Sequence, residues 1–434
     1  MKVGVISLGC AKNRVDTEQM LFLLQQRGYA LTDHPEHADV LIVNTCGFIE
    51  SAKQESIDTI FELASYKKTG VCQLLCVTGC LAQRYGDALA SDIPEVDVIT
   101  GVSRYATLPD VIRQAIQGRR VVDTSRSRLL VGCSRVLTTP PYTAYVRIAE
   151  GCDNRCTYCA IPLIRGGFVS FPMDSILREI ASLASDGVRE HILIAQDTSR
   201  YGHDTKSGSL ASLVREAAAI PGVEWLRVLY CYPDETNAAL IDEMAAHPNV
   251  CQYLDLPLQH ASPGILCRMN RRGDIDSAAR LLRYARAKGF TLRTTFIVGF
   301  PGETEADFDA LMAFASDIKF DRMGAFSFSP EEGTPAYTMA DQVPDKVKKA
   351  RLDKLMTLQA GISLERNRLR IGQTEKVLIT GVQGKNYLAR SSAEAPDVDG
   401  TISLSGPPGL QPGVFVSARI TGADTYDLSG EILP

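Results

Sequence analysis

The sequence has no hydrophobic run long enough to cross a bilayer. Runs such as Val40-Leu41-Ile42-Val43 are far shorter than the roughly 20 apolar residues that a membrane helix needs. The N-terminus also lacks the long apolar core and small-residue cleavage site of a signal peptide. Low-complexity tracts and strict internal repeats are missing as well. We therefore expect a cytoplasmic protein without a membrane partner, in which cysteines stay reduced.

An excess of charge of one sign is also missing, because the formal net charge is only −5 over 434 residues. This balance argues against a protein that binds polyanions through its overall charge. The length predicts two or three domains, and the hydrophobic content of 45% is ordinary for a globular protein. Cysteine is plentiful, with 12 residues. In a reducing compartment these cysteines predict metal ligands and buried thiols rather than disulfides.

Three of the cysteines, Cys152, Cys156 and Cys159, have the spacing C-x3-C-x2-C and follow a strand-like apolar segment. Thiolates are the usual ligands of iron–sulfur clusters, so three cysteines on a cubane cluster leave one iron open to a small molecule. The spacing resembles the signature of radical SAM enzymes, in which the open iron chelates S-adenosylmethionine. Tyr158, just before the last cysteine, matches that signature. The alternative is a zinc knuckle or three buried thiols.

Residues 1–130 alternate short apolar runs with amphipathic stretches. We predict strands at residues 3–8, 40–44, 73–78 and 96–100, and helices at 16–27, at 50–65, from 81 onward and at 108–117. This order predicts an N-terminal α/β domain with a parallel sheet covered by helices on both faces.

Cys10, Cys46 and Cys80 each follow the end of a predicted strand and have a glycine beside them. In an open parallel sheet the carboxyl ends of the strands face the ligand crevice, so these thiols are expected to converge at one edge. They predict a second three-cysteine cluster site with an open iron. The alternative is three ordinary buried thiols.

The remaining cysteines are interpreted as structural. Cys72, Cys76 and Cys80 have a regular spacing, but Cys76 lies inside an apolar strand. Cys72 then lies roughly 13 Å away, at about 3.3 Å per residue, which is too far for one cluster. The cysteines interpreted as structural are Cys72, Cys76, Cys133, Cys231, Cys251 and Cys267.

Residues 131–371 begin with a proline-containing linker and continue as six strand–helix units. We predict strands at 145–149, 191–195, 225–230, 251–256, 292–298 and 323–328, with helices at 174–184, 210–219, 237–246, 277–288 and 303–316. Six units are fewer than the eight that close a TIM barrel, so an open (βα)6 barrel is expected. Its active site should lie at the carboxyl ends of the strands, where the loop with Cys152 is predicted.

Polar groups follow several of these strands. Gln196 and Gln259 come just after the second and fourth strands, and Gly299 follows the fifth. His260 is interpreted as a hydrogen-bonded loop histidine rather than a catalyst. A charged stretch over residues 343–370 has leucine and isoleucine at helical spacing, which predicts a long amphipathic helix packed on the barrel.

Residues 372–434 contain five short strands separated by glycine and proline, which predicts a small OB-like β-barrel. Such barrels often bind nucleic acid through basic grooves. This one has four basic and seven acidic residues, so it is expected to repel phosphate and to favour a basic partner. Residues 394–400 hold three of the acids, Glu394, Asp397 and Asp399. The alternative for this run is a solvated acidic loop.

Taken together, these segments resemble the methylthiotransferases across nearly the whole chain. The matching residues are Gly9-Cys10-Ala11-Lys12-Asn13, Asn44-Thr45-Cys46, Gly79-Cys80, the cysteines from 152 to 159, and Gly299-Phe300-Pro301-Gly302-Glu303. This family has an N-terminal three-cysteine domain, a central radical SAM domain and a C-terminal TRAM domain. The resemblance implies domains at residues 1–130, 131–371 and 372–434.

Within the family, residues 195–202 and 394–400 are similar to the RimO class, which methylthiolates the β-carbon of an aspartate in ribosomal protein S-twelve. Its sister class modifies an adenosine of transfer RNA. The sequence departs from the family at Phe171-Pro172, where Arg-Pro is usual, and at Gly167-Phe168, where basic residues are common. Roles of those basic residues are therefore not carried over to this chain.

The resemblance implies two 4Fe–4S clusters and S-adenosylmethionine (SAM) as cofactors. A cluster on Cys152, Cys156 and Cys159 would reduce SAM to a 5′-deoxyadenosyl radical that takes a hydrogen from the target carbon. The expected SAM contacts are Tyr158, Gln196, Gln259 and Gly299. A second cluster, on Cys10, Cys46 and Cys80, would carry sulfur, which a second SAM methylates before transfer.

The implied partners are ribosomal protein S-twelve, held by the acidic barrel, and a reductant such as flavodoxin or ferredoxin, with the enzyme acting as a monomer. Two other interpretations stay open. A transfer-RNA methylthiotransferase predicts a basic C-terminal barrel. A non-catalytic iron–sulfur electron carrier predicts no SAM binding, and it leaves the six barrel strands unexplained.

Overall fold

The computed structural model of the chain describes residues 1–127, 131–132, 134–206 and 208–434. Three regions follow one another: an N-terminal α/β region, a central barrel of parallel strands, and a closed C-terminal β-barrel. The predicted fold class is confirmed. Cys133, interpreted as a structural thiol, lies outside the described residues.

The N-terminal α/β region has a sheet of six parallel strands in the order β2-β1-β3-β4-β5-β6. The strands are β1 (Lys2–Ser7), β2 (Ala30–Leu31), β3 (Val40–Thr45), β4 (Leu74–Gly79), β5 (Val98–Thr100) and β6 (Val121–Asp123). The helices are α1 (Ala11–Gln26), α2 (Glu50–Thr69), α3 (Cys80–Asp92) and α4 (Leu108–Ile116). The two edge strands, β2 and β6, were not predicted, because they are short and carry little hydrophobic pattern.

The middle of this sheet is fully buried, since every residue of β3 and β4 is covered. Helix α1 packs on one face through Met20 and Leu24, and helix α2 packs on the other through Ile60 and Leu63. Near-continuous apolar runs are typical of parallel strands covered on both faces. The run at residues 40–43 therefore belongs to the centre of this sheet.

The central barrel contains two parallel three-stranded sheets, β7-β10-β11 and β12-β13-β14. A parallel bridge between Leu226 and Val250 joins them into an open arc of six strands. The strands are β7 (Thr143–Arg147), β8 (Ala149–Glu150), β9 (Val169–Ser170), β10 (Glu190–Ile194), β11 (Trp225–Val228), β12 (Tyr253–Asp255), β13 (Thr291–Val298) and β14 (Arg322–Ser327). The helices are α5 (Ile161–Arg165), α6 (Met173–Ser185), α7 (Leu210–Ala218), α8 (Ala238–Ala246), α9 (Pro263–Arg268), α10 (Ile275–Ala287) and α11 (Glu305–Ile318).

Helix α12 (Asp345–Arg368) is the long amphipathic helix predicted from residues 343–370. It packs against β14 and α11, and it also contacts the C-terminal barrel. Leu355 and Ile362 lie on its buried face. None of the helices among the described residues is both long and apolar enough to span a membrane.

The C-terminal barrel closes in the order β15-β16-β17-β19-β18. Its strands are β15 (Thr374–Gln383), β16 (Asn386–Ser391), β17 (Ile402–Ser405), β18 (Phe415–Ala423) and β19 (Leu428–Ile432). The pairing is antiparallel except between β17 and β19, which are parallel. Five strands closed in this way match the OB-like prediction.

The sequence of residues 394–400 suggests either an acidic surface for a basic partner or a solvated loop. Both interpretations are wrong for two of its three acids, Glu394 and Asp399. Glu394 is buried and forms ion pairs with Arg322, at 2.8 Å, and with Arg370. Asp399 accepts a 2.6 Å hydrogen bond from the hydroxyl of Tyr253 on the central barrel. These carboxylates attach the C-terminal barrel to its neighbour, so they are not available to a basic partner.

A second buried ion cluster strengthens this junction. Glu190 on β10 lies between Arg227 of the central barrel and Arg390 of the C-terminal barrel, at 3.3 Å and 2.6 Å. Beside it, Trp225 meets Phe415 edge to face, with ring centroids 4.8 Å apart. The C-terminal barrel is therefore docked on the central barrel through buried charge and aromatic packing.

Candidate active site

Cys152, Cys156 and Cys159 lie on a loop between β8 and α5, at the carboxyl end of the first barrel strand. The backbone N–H of Cys159 donates to the carbonyl of Cys156 at 3.0 Å, which forms a tight turn. The N–H of Cys152 donates to the carbonyl of Gly166 at 3.0 Å, beyond α5. The loop is therefore closed at its base, and its three thiols come from one short, braced segment.

Gly151 allows the loop to start in this way. Its φ of +74° is in the left-handed region, and a Cβ atom would lie 2.0 Å from the carbonyl oxygen of Gly167. Only glycine fits such a close backbone approach. Further along, the N–H of Thr157 donates to the carbonyl of Met269 at 3.0 Å, which holds the loop against the end of α9.

Cys10, Cys46 and Cys80 follow β1, β3 and β4, which are neighbours in the sheet. Cys10 is the N-cap of α1, and Cys80 is the first residue of α3. Helix N-termini favour negative charge, which suits thiolate ligands at these positions. Gly9 has a φ of +86°, and a Cβ atom there would lie 2.9 Å from the Cβ of Cys46. The glycine beside Cys10 thus permits the close approach of two of these loops.

The two cysteine triplets line one cavity of about 350 Å³. Its walls come from the N-terminal α/β region and from the central barrel. Its other lining residues are Lys12, Asn13, Phe48, Asn154, Tyr158, Ile161, Ile164, Arg165, Gln196, Tyr230, Cys231, Tyr232, Pro257, Gln259 and Arg271. Sequence reasoning placed each triplet at strand ends of its own region, and the structure brings the two together.

The donor set of each triplet fits an iron–sulfur cluster. All three residues of each triplet are cysteines, and thiolates are the usual protein ligands of such clusters. Three thiols leave one iron of a cubane cluster open to a further ligand.

Burial shapes the acid–base behaviour of the thiols. It raises the pKa of Cys152 to about 11 and the pKa values of Cys80 and Cys159 to about 12. In the iron-free protein these thiols are therefore protonated at neutral pH. A metal has to displace their protons in order to bind, which couples iron loading to proton release.

Three of the four predicted SAM contacts line the cavity. Gln196 donates through Nε2 to Glu150 at 3.0 Å, and its buried Oε1 has no hydrogen-bond partner among the described residues. Gln259 has a φ of +73°, and its backbone bridges to β13, while its side chain lies among the lining residues. Tyr158 lines the same cavity and meets Phe300 edge to face.

Gly299, the fourth predicted contact, is not among the lining residues of this cavity. Its N–H donates to Glu303 at 2.6 Å, and a Cβ atom would lie 2.3 Å from Cγ of Lys348 on α12. The structure therefore gives Gly299 a packing role beneath α12. A SAM contact by this residue stays a prediction.

A second cavity of about 400 Å³ adjoins the first and shares Phe48, Tyr158 and Gln259 with it. It lies at the carboxyl ends of β13 and β14 and is lined there by Ile297 and Phe328. An apolar pocket with a few polar groups at strand ends is the usual place for a cofactor in such barrels.

The other cysteines and His260 have the following environments. His260 is buried and accepts a 2.9 Å hydrogen bond from the N–H of Ser262, as expected of a loop histidine. Cys72, Cys76 and Cys251 are buried, as predicted. Cys231 is buried too, but it also lines the cavity, where its Sγ lies 3.6 Å from the hydroxyl of Thr198. Cys267 is exposed on α9, so its assignment as a buried structural thiol is wrong.

Sequence reasoning missed the charged side chains of the cavity. Arg165 donates to Asp16 at 2.9 Å, to Glu150 at 3.1 Å and to Asn13 at 2.9 Å, and it lies 3.9 Å from Sγ of Cys80. Although burial opposes it, Arg165 keeps the pKa of Glu150 below its usual value, with help from Arg147. Glu150 also accepts a hydrogen bond from Gln196. The network around Arg165 therefore extends from Cys80 to a predicted SAM contact.

The remaining two cations of the cavity have no acid partner in the part of the chain that the structure describes. Arg271 lies 4.0 Å from Sγ of Cys156 and 3.4 Å from the hydroxyl of Tyr158, and it stacks over Tyr232. Lys12 comes from α1, two residues after Cys10, and its Nζ lies over the ring of Tyr230. Burial lowers the pKa of Lys12 to about 8. The motif around Cys10 contains Lys12, but nothing in the sequence distinguishes this buried lysine from an exposed one.

Models of three known families match successive parts of the chain. Residues 2–101 match the uncharacterized protein family UPF0004, residues 146–315 match the radical SAM superfamily, and residues 371–433 match the TRAM domain.

Solved structures support the same fold. The radical S-adenosylmethionine methyltransferase TsrM from Kitasatospora setae, solved with cobalamin and a [4Fe-4S] cluster, superposes with a TM-score of 0.60 at 15% identity, covering 77% of this chain and 76% of that one. The radical enzyme OxsB superposes with a TM-score of 0.53 at 11% identity, covering 82% of this chain and 56% of that one. At such identities the likeness concerns the fold alone.

Two curated relatives resemble the chain over its whole length. Ribosomal protein uS12 methylthiotransferase RimO of Desulforudis audaxviator is 48% identical over 437 residues, covering 100% of this chain and 97% of that protein. The protein of the same name from Clostridium perfringens is 48% identical, covering 99% of this chain and 98% of the relative. The chain therefore belongs to the radical SAM methylthiotransferases of the RimO family, enzymes that depend on SAM and 4Fe–4S clusters.

Proposed function

We propose that this enzyme transfers a methylthio group to the β-carbon of an aspartate in ribosomal protein uS12, using two 4Fe–4S clusters. The observation that carries the proposal is the single cavity lined by both cysteine triplets. The relatives named for uS12 methylthiotransfer support the choice of substrate. The proposed domains are residues 1–130, 131–371 and 372–434.

Cys152, Cys156 and Cys159 would hold the cluster that works with SAM, because they form the braced loop of the radical SAM region. Arg271, close to Cys156 and without an acid partner among the described residues, is placed to receive the carboxylate of SAM. Gln196 offers a buried Oε1, without a hydrogen-bond partner in the described part of the chain, that can accept from an ammonium group. Tyr158 and the adjoining apolar cavity suit the adenosine moiety.

Cys10, Cys46 and Cys80 would hold the second cluster, on the other wall of the cavity. When bound, the clusters and SAM supply a radical for hydrogen abstraction and a methylated sulfur for transfer. The protein residues position these groups and limit the access of water. Arg165 braces the wall that carries Cys80, through its bonds to Asp16 and Glu150.

A radical is the appropriate reagent for this substrate. The β-carbon of aspartate carries unactivated C–H bonds, and acid–base groups at neutral pH do not functionalise such a carbon. The cavity lining consists mainly of thiols, aromatic and aliphatic side chains, amides and three cations, and among the described residues it contains no carboxylate or histidine to act as a general base. This composition supports radical chemistry in the cavity.

The proposed protein partner is uS12, free or within the small ribosomal subunit, which places the enzyme in the cytoplasm. Exposed acids on the C-terminal barrel, including Asp397, Asp424 and Asp427, can approach a basic ribosomal protein. We further propose that the enzyme acts as a monomer and receives electrons from a protein such as flavodoxin or ferredoxin.

Mass spectrometry tests the substrate directly. In a strain that lacks this gene, uS12 should lose the mass of one methylthio group, and the wild-type gene should restore it. A gene with Cys10, Cys46 and Cys80 all changed to Ala should not restore it. Transfer RNA from the same strains serves as the comparison. If the methylthio group is lost from transfer RNA while uS12 is unchanged, the enzyme is an adenosine methylthiotransferase and the proposal fails.

A further inference from the structure

Lys12 is a buried cation with no charged partner among the residues that the structure describes. Its side chain lines the cavity, only 7% of the residue is exposed, and its Nζ lies 3.2 Å from the centroid of the Tyr230 ring. Within the described residues this ammonium forms no hydrogen bond or ion pair. Burying a charge without a partner is costly, so such a group is retained when a ligand neutralises it.

The other cations of the cavity differ from Lys12 in their surroundings. Arg165 is neutralised by Asp16 and Glu150. Arg271 lies beside Cys156 and Tyr158, on the wall of the radical SAM loop. Lys12 belongs to the N-terminal wall, two residues after the N-cap residue Cys10 of the triplet proposed to deliver sulfur, and its side chain extends to Tyr230 across the cavity. The cavity thus offers a separate cation on each wall.

We propose that Lys12 binds the side-chain carboxylate of the target aspartate in the substrate. The inference rests on the proposed function and adds to it the residue that recognises the substrate. The β-carbon of aspartate is bonded directly to that carboxylate carbon. A charge-assisted hydrogen bond from Lys12 therefore fixes the β-carbon near the wall that carries Cys10, Cys46 and Cys80. The Tyr230 ring beneath the ammonium holds it in place without neutralising it.

A competing role for Lys12 is charge compensation of a cluster bound at Cys10. The two roles predict different results. If Lys12 compensates cluster charge, its removal alters iron content or the cluster's electron paramagnetic resonance spectrum and affects all substrates equally. If Lys12 binds the carboxylate, its removal leaves the cluster intact and weakens only the binding of a substrate that carries the carboxylate.

The experiment uses reconstituted full-length enzyme with SAM and no reductant, so that binding is measured without turnover. Fluorescently labelled uS12 with the target aspartate, and uS12 with that aspartate changed to asparagine, are titrated by anisotropy. The variants are Lys12→Met and, as a polar replacement, Lys12→Gln. The matched control is Lys354→Met, at an exposed lysine of α12. Iron content is recorded for every protein, and the electron paramagnetic resonance spectrum is recorded on a separate, chemically reduced sample of each.

The wild type and the control should prefer the aspartate form by about tenfold to a hundredfold, the range of a charge-assisted hydrogen bond. Both Lys12 variants should bind the two forms almost equally, with unchanged iron and spectrum. The inference is overturned if both Lys12 variants still prefer the aspartate form of uS12 as strongly as the wild type. It is also overturned if both variants lose iron or show an altered resonance spectrum. The wild-type enzyme is also assayed with reductant. If it does not methylthiolate uS12, the proposed function is contradicted. If it does, but the Lys12 variants still prefer the aspartate form, only the role of Lys12 is contradicted.

Discussion

The two cysteine triplets face the same cavity but are built in opposite ways. Cys152, Cys156 and Cys159 lie on one loop, closed by hydrogen bonds within the loop and to the end of α5. Cys10, Cys46 and Cys80 come from three strand ends that are far apart in sequence and meet only in the folded sheet. The first site is a local structure, and the second depends on the register of a whole sheet.

The two triplets therefore depend on different parts of the fold for the spacing of their thiols. A contiguous loop keeps its ligand spacing as long as its own turn is formed. An assembled site loses its spacing when any of three strands shifts, since a shift of one residue moves a side chain to the other face. The assembled triplet should therefore be the more sensitive of the two to changes elsewhere in the N-terminal α/β region.

The largest expected effect comes from removing one triplet at a time. Changing Cys10, Cys46 and Cys80 together to Ala should abolish methylthio transfer and leave reductive cleavage of SAM, whereas changing Cys152, Cys156 and Cys159 to Ala should abolish both. The two products, 5′-deoxyadenosine and methylthiolated uS12, are measured by liquid chromatography and mass spectrometry. Methylthio transfer by the first triple variant would show that the two-site assignment is wrong.

Gly9→Ala should affect the assembled triplet alone. The new Cβ would lie 2.9 Å from the Cβ of Cys46, at a φ of +86° that alanine rarely adopts. We expect the reconstituted variant to lose about half of its iron, because one of two cubane clusters is no longer held. Iron analysis and the rate of SAM cleavage measure this effect. The matched control is Gly28→Ala, at a glycine with a similar φ of +83° and no described neighbour within 4 Å of the added atom. Equal iron loss in the two variants would contradict the prediction.

Arg165→Lys should produce a smaller loss at the same triplet. Lysine keeps the charge but cannot donate to Asp16, Glu150 and Asn13 at once, as the planar guanidinium does. Methylthio transfer should fall by about tenfold, the equivalent of one charge-assisted hydrogen bond, while SAM cleavage changes by less than about twofold. Initial rates of both reactions on one preparation provide the test. An equal fall in both rates would mean that the network serves both triplets alike.

Glu394→Gln should have the smallest effect on the chemistry, because the residue lies at the junction with the C-terminal barrel. Although burial opposes it, Arg370 and Arg322 hold the pKa of this carboxylate well below its usual range. The charge should therefore stabilise the fold by about 3 kcal/mol, the scale of a broken buried ion pair. We expect a lower midpoint of thermal unfolding at pH 7, with both reactions kept at permissive temperature.

The pH dependence of this effect follows from the direction of the shift. A carboxylate with a depressed pKa in the folded state stabilises the protein above its unfolded pKa, and this contribution is lost as pH falls toward the folded value. The gap in unfolding midpoint between wild type and Glu394→Gln should be full at pH 7 and should shrink below about pH 4.5. Asp397→Asn, at an exposed acid of the same run, is the control and should shift the midpoint little at either pH. A gap that stays constant down to pH 4 would contradict the ion-pair explanation.

The sequence predicts the strands, the two triplets and the closed C-terminal barrel because these features have short-range signals. Apolar runs mark β3 and β4, spacing marks the loop at Cys152, and glycine-rich turns mark the barrel strands. The edge strands β2 and β6 are too short to carry a period. Lys12 and Arg271 could not be picked out from the sequence. What distinguishes them is that, within the described residues, no acidic side chain pairs with them in the cavity, and this is known only once the chain is folded.

The acidic run shows a different limit of sequence reasoning. Glu394, Asp397 and Asp399 are close in sequence, and charge counting treats them alike. The structure turns Glu394 toward Arg322 and Arg370 and turns Asp399 toward Tyr253. Asp397 stays more than half exposed, although it accepts from Arg14 at 3.4 Å and from the hydroxyl of Tyr145 at 3.1 Å. Their basic partners lie on other segments, so composition alone could not distinguish a docking contact from a solvated loop.

The division of the cavity walls also bears on how the enzyme matures. Each triplet belongs wholly to one region of the chain, so under the proposed function we expect a cluster at one triplet to form without the other. The bonds of Arg165 to Asp16 and Asn13 join the central barrel to α1, so they form only when the two regions meet, whereas its bond to Glu150 stays within the central barrel. The contact between Arg165 and α1 therefore holds the two cysteine triplets on facing walls of the 350 Å³ cavity.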